Sequence, residues 1–291
     1  MSRICRALPL RRAYHFPPGL ERPGYHLENP GYRLGCAPNP DRRDILVPLL
    51  SSRGGKHVNE RACNMYAATE LAKCIEHTLV KPDATETELA LLVKEAMRYG
   101  FYAVVVNSGY VAHARKLLGE AQTRVVATVA FPFGTAHEEA KAAEACIAVE
   151  QGADEIDMVM NVGRFKSGDE AFAKAEVEGV KRELEALEGR LGKKIPLKVI
   201  IEAPLLTPEE IGRASLACVA AGADFIKTST GFAKRPTSLE DVRLIKEAVG
   251  GTASIKASGG IRTYEQAIAF LEAGATRIGA SRSVEIVEAA G

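Results

Sequence analysis

From Met65 onward, short apolar runs alternate with longer stretches in which apolar residues recur every three or four positions. The first kind suits buried strands and the second suits helices that bury one face. Ala67 to Glu76 reads as a short helix and His77 to Val80 as a first strand. Thr85 to Tyr99 then places Leu89, Leu92, Val93 and Ala96 on one helical face, closed by Gly100. Seven further strands are expected at Ala103–Val106, Val125–Phe131, Glu155–Met160, Leu197–Glu202, Asp224–Ser229, Ser254–Ala257 and Arg277–Ala280. Helical periodicity separates them at His137–Gln151, Ala171–Leu187, Pro208–Ala221, Leu239–Val249 and Tyr264–Ala273.

Three of those helices run into the same kind of junction: Gly152-Ala153-Asp154, Gly222-Ala223-Asp224 and Gly274-Ala275-Thr276. A glycine that turns the chain out of a helix just before a buried strand marks a repeating βα unit. Eight strands alternating with helices is the number that closes a barrel, so the chain is expected to be an α/β protein with a TIM (β/α)8 barrel and a short helix before strand one. An open doubly wound sheet competes, but no Gly-x-Gly-x-x-Gly follows the first strand.

Residues 1–64 break this pattern. Pro17-Pro18-Gly19, Pro23-Gly24, Pro30-Gly31 and Gly54-Gly55 punctuate them, and no apolar period persists. Eleven Lys and Arg stand there against five acids, although the whole chain is close to neutral at +1. A basic extension without order is expected, or else Met65 is the true start; its acids and prolines argue against a transit peptide. The barrel is assigned to residues 65–291. Near-neutral charge argues against nucleic acid as a partner, and no apolar run reaches the ~20 residues of a membrane span. Six cysteines without a C-x-x-C pair fit free thiols in a cytoplasm better than a zinc site.

Charged residues inside buried strands demand a reason. Asp157, Lys227 and Lys256 each lie between apolar neighbours, late in strands four, six and seven. Lys198 and Glu202 on strand five belong either to the same set or to the strand ends. One strand lysine is ordinarily a buried ion pair or a side chain reaching for water. Two lysines and an aspartate at the ends where barrel active sites form point instead to chemistry. A lysine amine has an ordinary pKa of ~10.4, so at pH 7 only about one in 2,500 is neutral and nucleophilic. Burial and a second ammonium both oppose its protonation. Lys227 would then attack a carbonyl, Lys256 would tune it, and Asp157 would move protons. Ser258-Gly259-Gly260 after strand seven, Gly279-Ala280-Ser281 closing strand eight, and Gly231 after strand six suit a phosphate held by backbone N–H groups.

The segments Ile75–Pro82, Gly152–Gly163, Lys198–Glu202, Gly222–Phe232 and Ile255–Thr263, with the word Lys227-Thr228-Ser229-Thr230-Gly231-Phe232 the most specific, resemble the deoxyribose-phosphate aldolases. The similarity runs from about residue 71 to 287. It implies a class I aldolase in which Lys227 forms a Schiff base while Asp157 and Lys256 donate and accept protons. The implied reaction is reversible cleavage of 2-deoxy-D-ribose 5-phosphate to acetaldehyde and D-glyceraldehyde 3-phosphate, run in the cell mostly toward cleavage. No metal or organic cofactor is implied, because the iminium serves as the electron sink.

Several positions depart from the family's habit. Glu76 stands where the first strand usually has aspartate, Val105 replaces a common cysteine, and Ala233-Lys234-Arg235-Pro236 replaces a glycine-rich turn. Ala203-Pro204 and Arg282 also differ from the commoner residues. The competing enzyme class is a phosphate-binding barrel isomerase or synthase without covalent catalysis, which has no need of the Lys227/Lys256 pair. Such barrels often form homodimers, though no exposed stripe here establishes one.

Overall fold

The computed structural model describes residues 67–290. The reading of residues 1–64 as a basic extension lies outside the described residues. Eight parallel strands close in sequence order: β1 (Ile75–Leu79), β2 (Ala103–Asn107), β3 (Arg124–Val129), β4 (Glu155–Val159), β5 (Leu197–Ile200), β6 (Phe225–Lys227), β7 (Ser254–Ser258) and β8 (Arg277–Ala280). Closure is made by β8 on β1, with Ile75 opposite Ile278 and His77 opposite Ala280. The helices α1 (Ala68–Ala72), α2 (Glu86–Tyr99), α3 (Val111–Leu118), α4 (Glu138–Glu150), α5 (Val162–Lys166), α6 (Glu170–Leu191), α7 (Pro208–Ala220), α8 (Leu239–Val249), α9 (Tyr264–Ala273) and α10 (Ser283–Glu288) accompany them. The expected TIM barrel is therefore what the chain forms.

Alternation along the strands sorts two environments. Val104, Val106, Val125, Ala127, Ile156, Met158, Leu197, Val199, Ile226, Ile255 and Ile278 belong to one large apolar cluster between sheet and helices. Ala103, Val105 and Val126 form a separate small cluster. In strand register these three share the opposite, inward face with Glu155, Asp157, Lys198, Lys227 and Lys256. The barrel axis is thus largely polar, and its apolar packing is confined to one side. Reciprocal capping boxes start the helices on the loop side: Thr85 with Glu88, Thr207 with Glu210, Ser238 with Asp241, and Thr263 with Gln266.

The helix expected over Ala67–Glu76 is shorter, ending at Ala72, and β1 begins at Ile75 rather than His77. The cause is tertiary: Ile278 N donates to Cys74 O, so β8 draws this backbone into the closing ladder. Glu76 consequently lies inside the barrel. Two expected strands stop early where the backbone turns left-handed, β3 before Ala130 (φ 53°) and β5 before Glu202 (φ 51°). The helix α3 between β2 and β3 has no counterpart among the expected elements. At the first Gly-Ala junction Gly152 has φ 109°, and a Cβ there would stand 2.9 Å from Arg115 Cγ. Its role is both conformation and room for that arginine, which donates to Gly152 O.

Candidate active site

Lys227 and Lys256 are register partners on β6 and β7, and both reach the same atom. Lys227 Nζ donates to Asp157 Oδ2 at 2.8 Å and Lys256 Nζ to that oxygen at 2.6 Å. The three residues singled out from the sequence are therefore in direct contact. Asp157 and Lys256 are fully buried, while Lys227 keeps 4% exposure and is the member that opens into the pocket above. Burial pushes the Lys227 ammonium down to about 8; Asp157 opposes the shift and Lys256 adds to it. Burial alone would raise the Asp157 carboxyl, but the ammoniums of Lys198, Lys227 and Lys256 hold it well below the usual carboxylate range.

Three further charges, Lys198, Glu76 and Glu155, complete the floor of the site. Lys198 Nζ donates to Asp157 Oδ1 at 3.0 Å, and Glu76 Oε2 accepts from Lys256. Lys198 belongs to the set rather than to the strand end. Burial disfavours its charge, yet Asp157, Glu76 and Glu155 outweigh that and raise the ammonium far above its ordinary value. It is a fixed cation. Glu155 was legible as a member by its place two residues before Asp157, on the same strand face. Periodicity did not reach Glu76, because the helical period of α1 runs on through it; only the family resemblance put it on the first strand.

Above this floor lies a pocket of about 360 Å³. Gly231, Ser258, Gly259, Gly260, Gly279 and Ser281, the expected phosphate-side residues, all line it, together with Lys81, Thr230, Phe232 and Arg262. The loops after β6 and β7 interlock: Thr237 N donates to Gly259 O, and a Cβ on Gly260 would meet Pro236 Cβ at 2.6 Å. Gly279 faces Lys256, where an added Cβ would stand 3.0 Å from Cε. The Ser258 hydroxyl is already committed, donating to Ser229 O at 2.6 Å.

Phe232 lines the pocket and packs on Phe131 behind it. The Phe131 and Phe232 rings meet edge to face at 5.5 Å, and Lys227 Nζ lies 6.0 Å from the centre of Phe131. Glu202, 5% exposed, accepts from Thr230 N and from Thr230 Oγ1, so it fixes the loop after β6 rather than joining the lysines. Burial raises its carboxyl despite those bonds and the nearby Lys227. Among the described residues, no group of three or more His, Cys, Asp and Glu is arranged to hold a metal.

An arrangement of this kind, with one amine near neutrality, two anchored charges on a shared carboxylate and a glycine-lined pocket, can form and protonate an imine. The DeoC/LacD family aldolase profile matches residues 75–286. A deoxyribose-phosphate aldolase of Aciduliprofundum boonei is 48% identical over 221 residues, covering 76% of this chain and 97% of that protein. One from Thermus thermophilus is 46% identical over 222 residues, covering 76% and 97%. Among solved structures, the deoxyribose phosphate aldolase of Aeropyrum pernix, described as tetrameric, superposes with a TM-score of 0.69 at 33% identity, covering 76% of this chain and 91% of that one.

Proposed function

Since the chain belongs to the DeoC/LacD family of aldolases, we propose that it is a class I deoxyribose-phosphate aldolase working through a Schiff base on Lys227. The neutral amine of Lys227 adds to the C1 aldehyde of open-chain 2-deoxy-D-ribose 5-phosphate, and the carbinolamine loses water to give an iminium. Removal of the proton from the C3 hydroxyl then breaks the C2–C3 bond. Its electron pair moves into the iminium, leaving an enamine on Lys227 and releasing D-glyceraldehyde 3-phosphate. Protonation at C2 restores an iminium, and water hydrolyses it to acetaldehyde and free Lys227. Asp157 and Lys256 carry the protons, and the iminium makes a further electron sink unnecessary.

The observation that carries this reading is the sharing of Asp157 Oδ2 by Lys227 and Lys256 directly beneath the pocket. Gly231, Gly259, Gly260, Gly279 and Ser281, with Ser258 beneath them, form the phosphate side. A phosphate-binding isomerase or synthase leaves the two lysines without a task. The deciding experiment is incubation with acetaldehyde and borohydride followed by peptide mapping. N-ethyl-lysine at position 227 is expected, and its absence overturns the reading.

The remaining assignments follow from this chemistry. We assign the barrel to residues 65–291 and the reaction to the cytoplasm, where the free thiols of Cys74, Cys146 and Cys218 suit a reducing compartment. No helix among the described residues is long and apolar enough to cross a membrane. A homodimer, the assembly common among such barrels, is to be distinguished by sedimentation from the tetramer described for the A. pernix protein.

A further inference from the structure

The buried charges do not balance around Lys227 alone. Glu76, Glu155 and Asp157 supply three carboxylates, each with a side chain at most 2% exposed, while Lys198 and Lys256 supply two fully buried ammoniums. A third positive charge is needed. It comes either from Lys227, which would then be protonated, or from the opposite end of the barrel.

That end carries a cluster with no contact to the pocket. Arg124 Nη1 lies 2.9 Å from Glu155 Oε1, and the Tyr102 hydroxyl donates to the same oxygen at 2.5 Å. Arg124 also bonds the Tyr102 hydroxyl, and the Arg277 guanidinium stacks 3.8 Å from the centre of the Tyr102 ring. The other carboxylate oxygen of Glu155 lies 2.6 Å from Lys198 Nζ, which is also 3.0 Å from Asp157 Oδ1 and 3.6 Å from Glu76 Oε1. A continuous run of contacts thus leads from Arg124 through Glu155, Lys198 and Asp157 to Lys227.

We propose that Arg124, Tyr102 and Glu155 are positioning residues for Lys227: Arg124 supplies the third counter-charge from the far end of the barrel, leaving Lys198 to hold Asp157 and the amine of Lys227 free to stand neutral. The charged and titratable groups involved come from every side: Glu76 (β1), Tyr102 just before β2, Arg124 (β3), Glu155 and Asp157 (β4), Lys198 and, beyond its end, Glu202 (β5), Lys256 (β7) and Arg277 (β8). Glu155 stays ionised in this setting: burial opposes its charge, but Lys198, Tyr102 and Arg124 bring the carboxyl below its ordinary value. Loss of Arg124 leaves one uncompensated anion, which attracts a proton to Lys227. Loss of the Glu155 charge does the reverse. The inference rests on Lys227 as the reacting amine, but its test does not.

The full chain with carbon-13 at lysine Cε is titrated by NMR, the Lys227 signal being assigned by its loss in Lys227→Arg. Arg124→Gln is expected to move the Lys227 midpoint up, and Glu155→Gln to move it down, each by about half a pH unit. That is the order expected of one unit charge roughly 10 Å away in a partly wet interior. Arg124→Lys restores the parent midpoint. General loosening of the barrel would shift both variants the same way, so opposite signs support the proposal and any other pattern overturns it. Arg124 is half exposed, so its variant is expected to keep the fold by circular dichroism; should Glu155→Gln fail to fold, the upward shift in Arg124→Gln together with its reversal in Arg124→Lys decides, and a shift that Arg124→Lys does not reverse overturns the proposal. Acetaldehyde trapping, run separately, reports on the imine chemistry itself.

Discussion

Lys227 and Lys256 face each other across the β6–β7 pairing and donate to one oxygen of Asp157. Each ammonium is stabilised by that carboxylate, and each destabilises the other. With burial pushing Lys227 down to about 8, the proposed imine chemistry draws only on its deprotonated fraction. Imine trapping should rise about tenfold per pH unit below 8 and level off above it. Replacing Lys256 with Met removes the competing cation and leaves Asp157 Oδ2 to Lys227, while Lys198 keeps Oδ1. The sign is then upward for the Lys227 pKa, so the rising limb moves to more alkaline pH and activity at pH 7 falls by roughly tenfold or more. Trapping rates measured from pH 6 to about 10 check this, and an unmoved limb refutes the tuning role of Lys256.

Gly279 tests the same pair by packing rather than charge. A methyl group there would press on Lys256 Cε and on Ser258 Cβ, each at 3.0 Å. Gly279→Ala should keep the fold, since this glycine does not have a positive φ. A few tenths of an ångström of displacement at Lys256 is expected to lower kcat by about ten- to a hundredfold with little change in melting temperature. Steady-state kinetics beside a thermal melt separate the two effects.

Much of this was legible in the chain. The strand order, the barrel and the cluster of Asp157, Lys227 and Lys256 all follow from apolar runs interrupted by charges, because a buried strand tolerates a charge only with a partner. What stayed hidden depended on tertiary pairing. By periodicity Glu76 reads as helix, and only the family resemblance puts it on the first strand; the hydrogen bond from Ile278 to Cys74 is what makes that segment a strand. The short helix Val111–Leu118 carries His113, Arg115 and Lys116, and only its buried Val111, Ala114 and Leu118 mark a face. The partnership of Glu155 with Arg124 and Tyr102 joins β3, β4 and the start of β2, which no local spacing announces.

Gly260 offers a test of the proposed phosphate side that leaves the lysines untouched. It has φ 85°, and a Cβ would meet Pro236 Cβ at 2.6 Å, so Gly260→Ala must shift the loop after β7 away from the loop after β6. KM for 2-deoxyribose 5-phosphate should rise about tenfold or more, while kcat/KM for unphosphorylated 2-deoxyribose changes little. Equal losses on both substrates would remove Gly260 from the phosphate side.

A chain beginning at Met65 should retain full activity. The A. boonei relative is matched over 97% of its length by 221 residues, and the family profile starts at residue 75. Every side chain assigned to the pocket and its floor lies within that span. Expected kcat/KM is within about twofold of the full chain, inside the scatter of surface changes. A large loss on truncation would assign residues 1–64 a part in the working enzyme.

The last prediction concerns stability behind the site. Lys141 on α4 and Glu176 on α6 are both fully buried and 2.6 Å apart. Lys141 Nζ also donates to Val159 O at 2.9 Å, and Asn161 N donates to Glu176 at 2.6 Å, so the pair pins the end of β4 just beyond Asp157. Burial lowers the Lys141 ammonium and raises the Glu176 carboxyl, which means neither charge is comfortable without the other. Lys141→Met should therefore cost about 3–5 kcal/mol by leaving a buried carboxylate unpaired. Lys141→Met combined with Glu176→Leu should recover most of that loss, although two backbone groups lose their partners. Urea denaturation of the two variants and the parent decides it. A single variant as stable as the parent would show that the pair is not holding β4 in place.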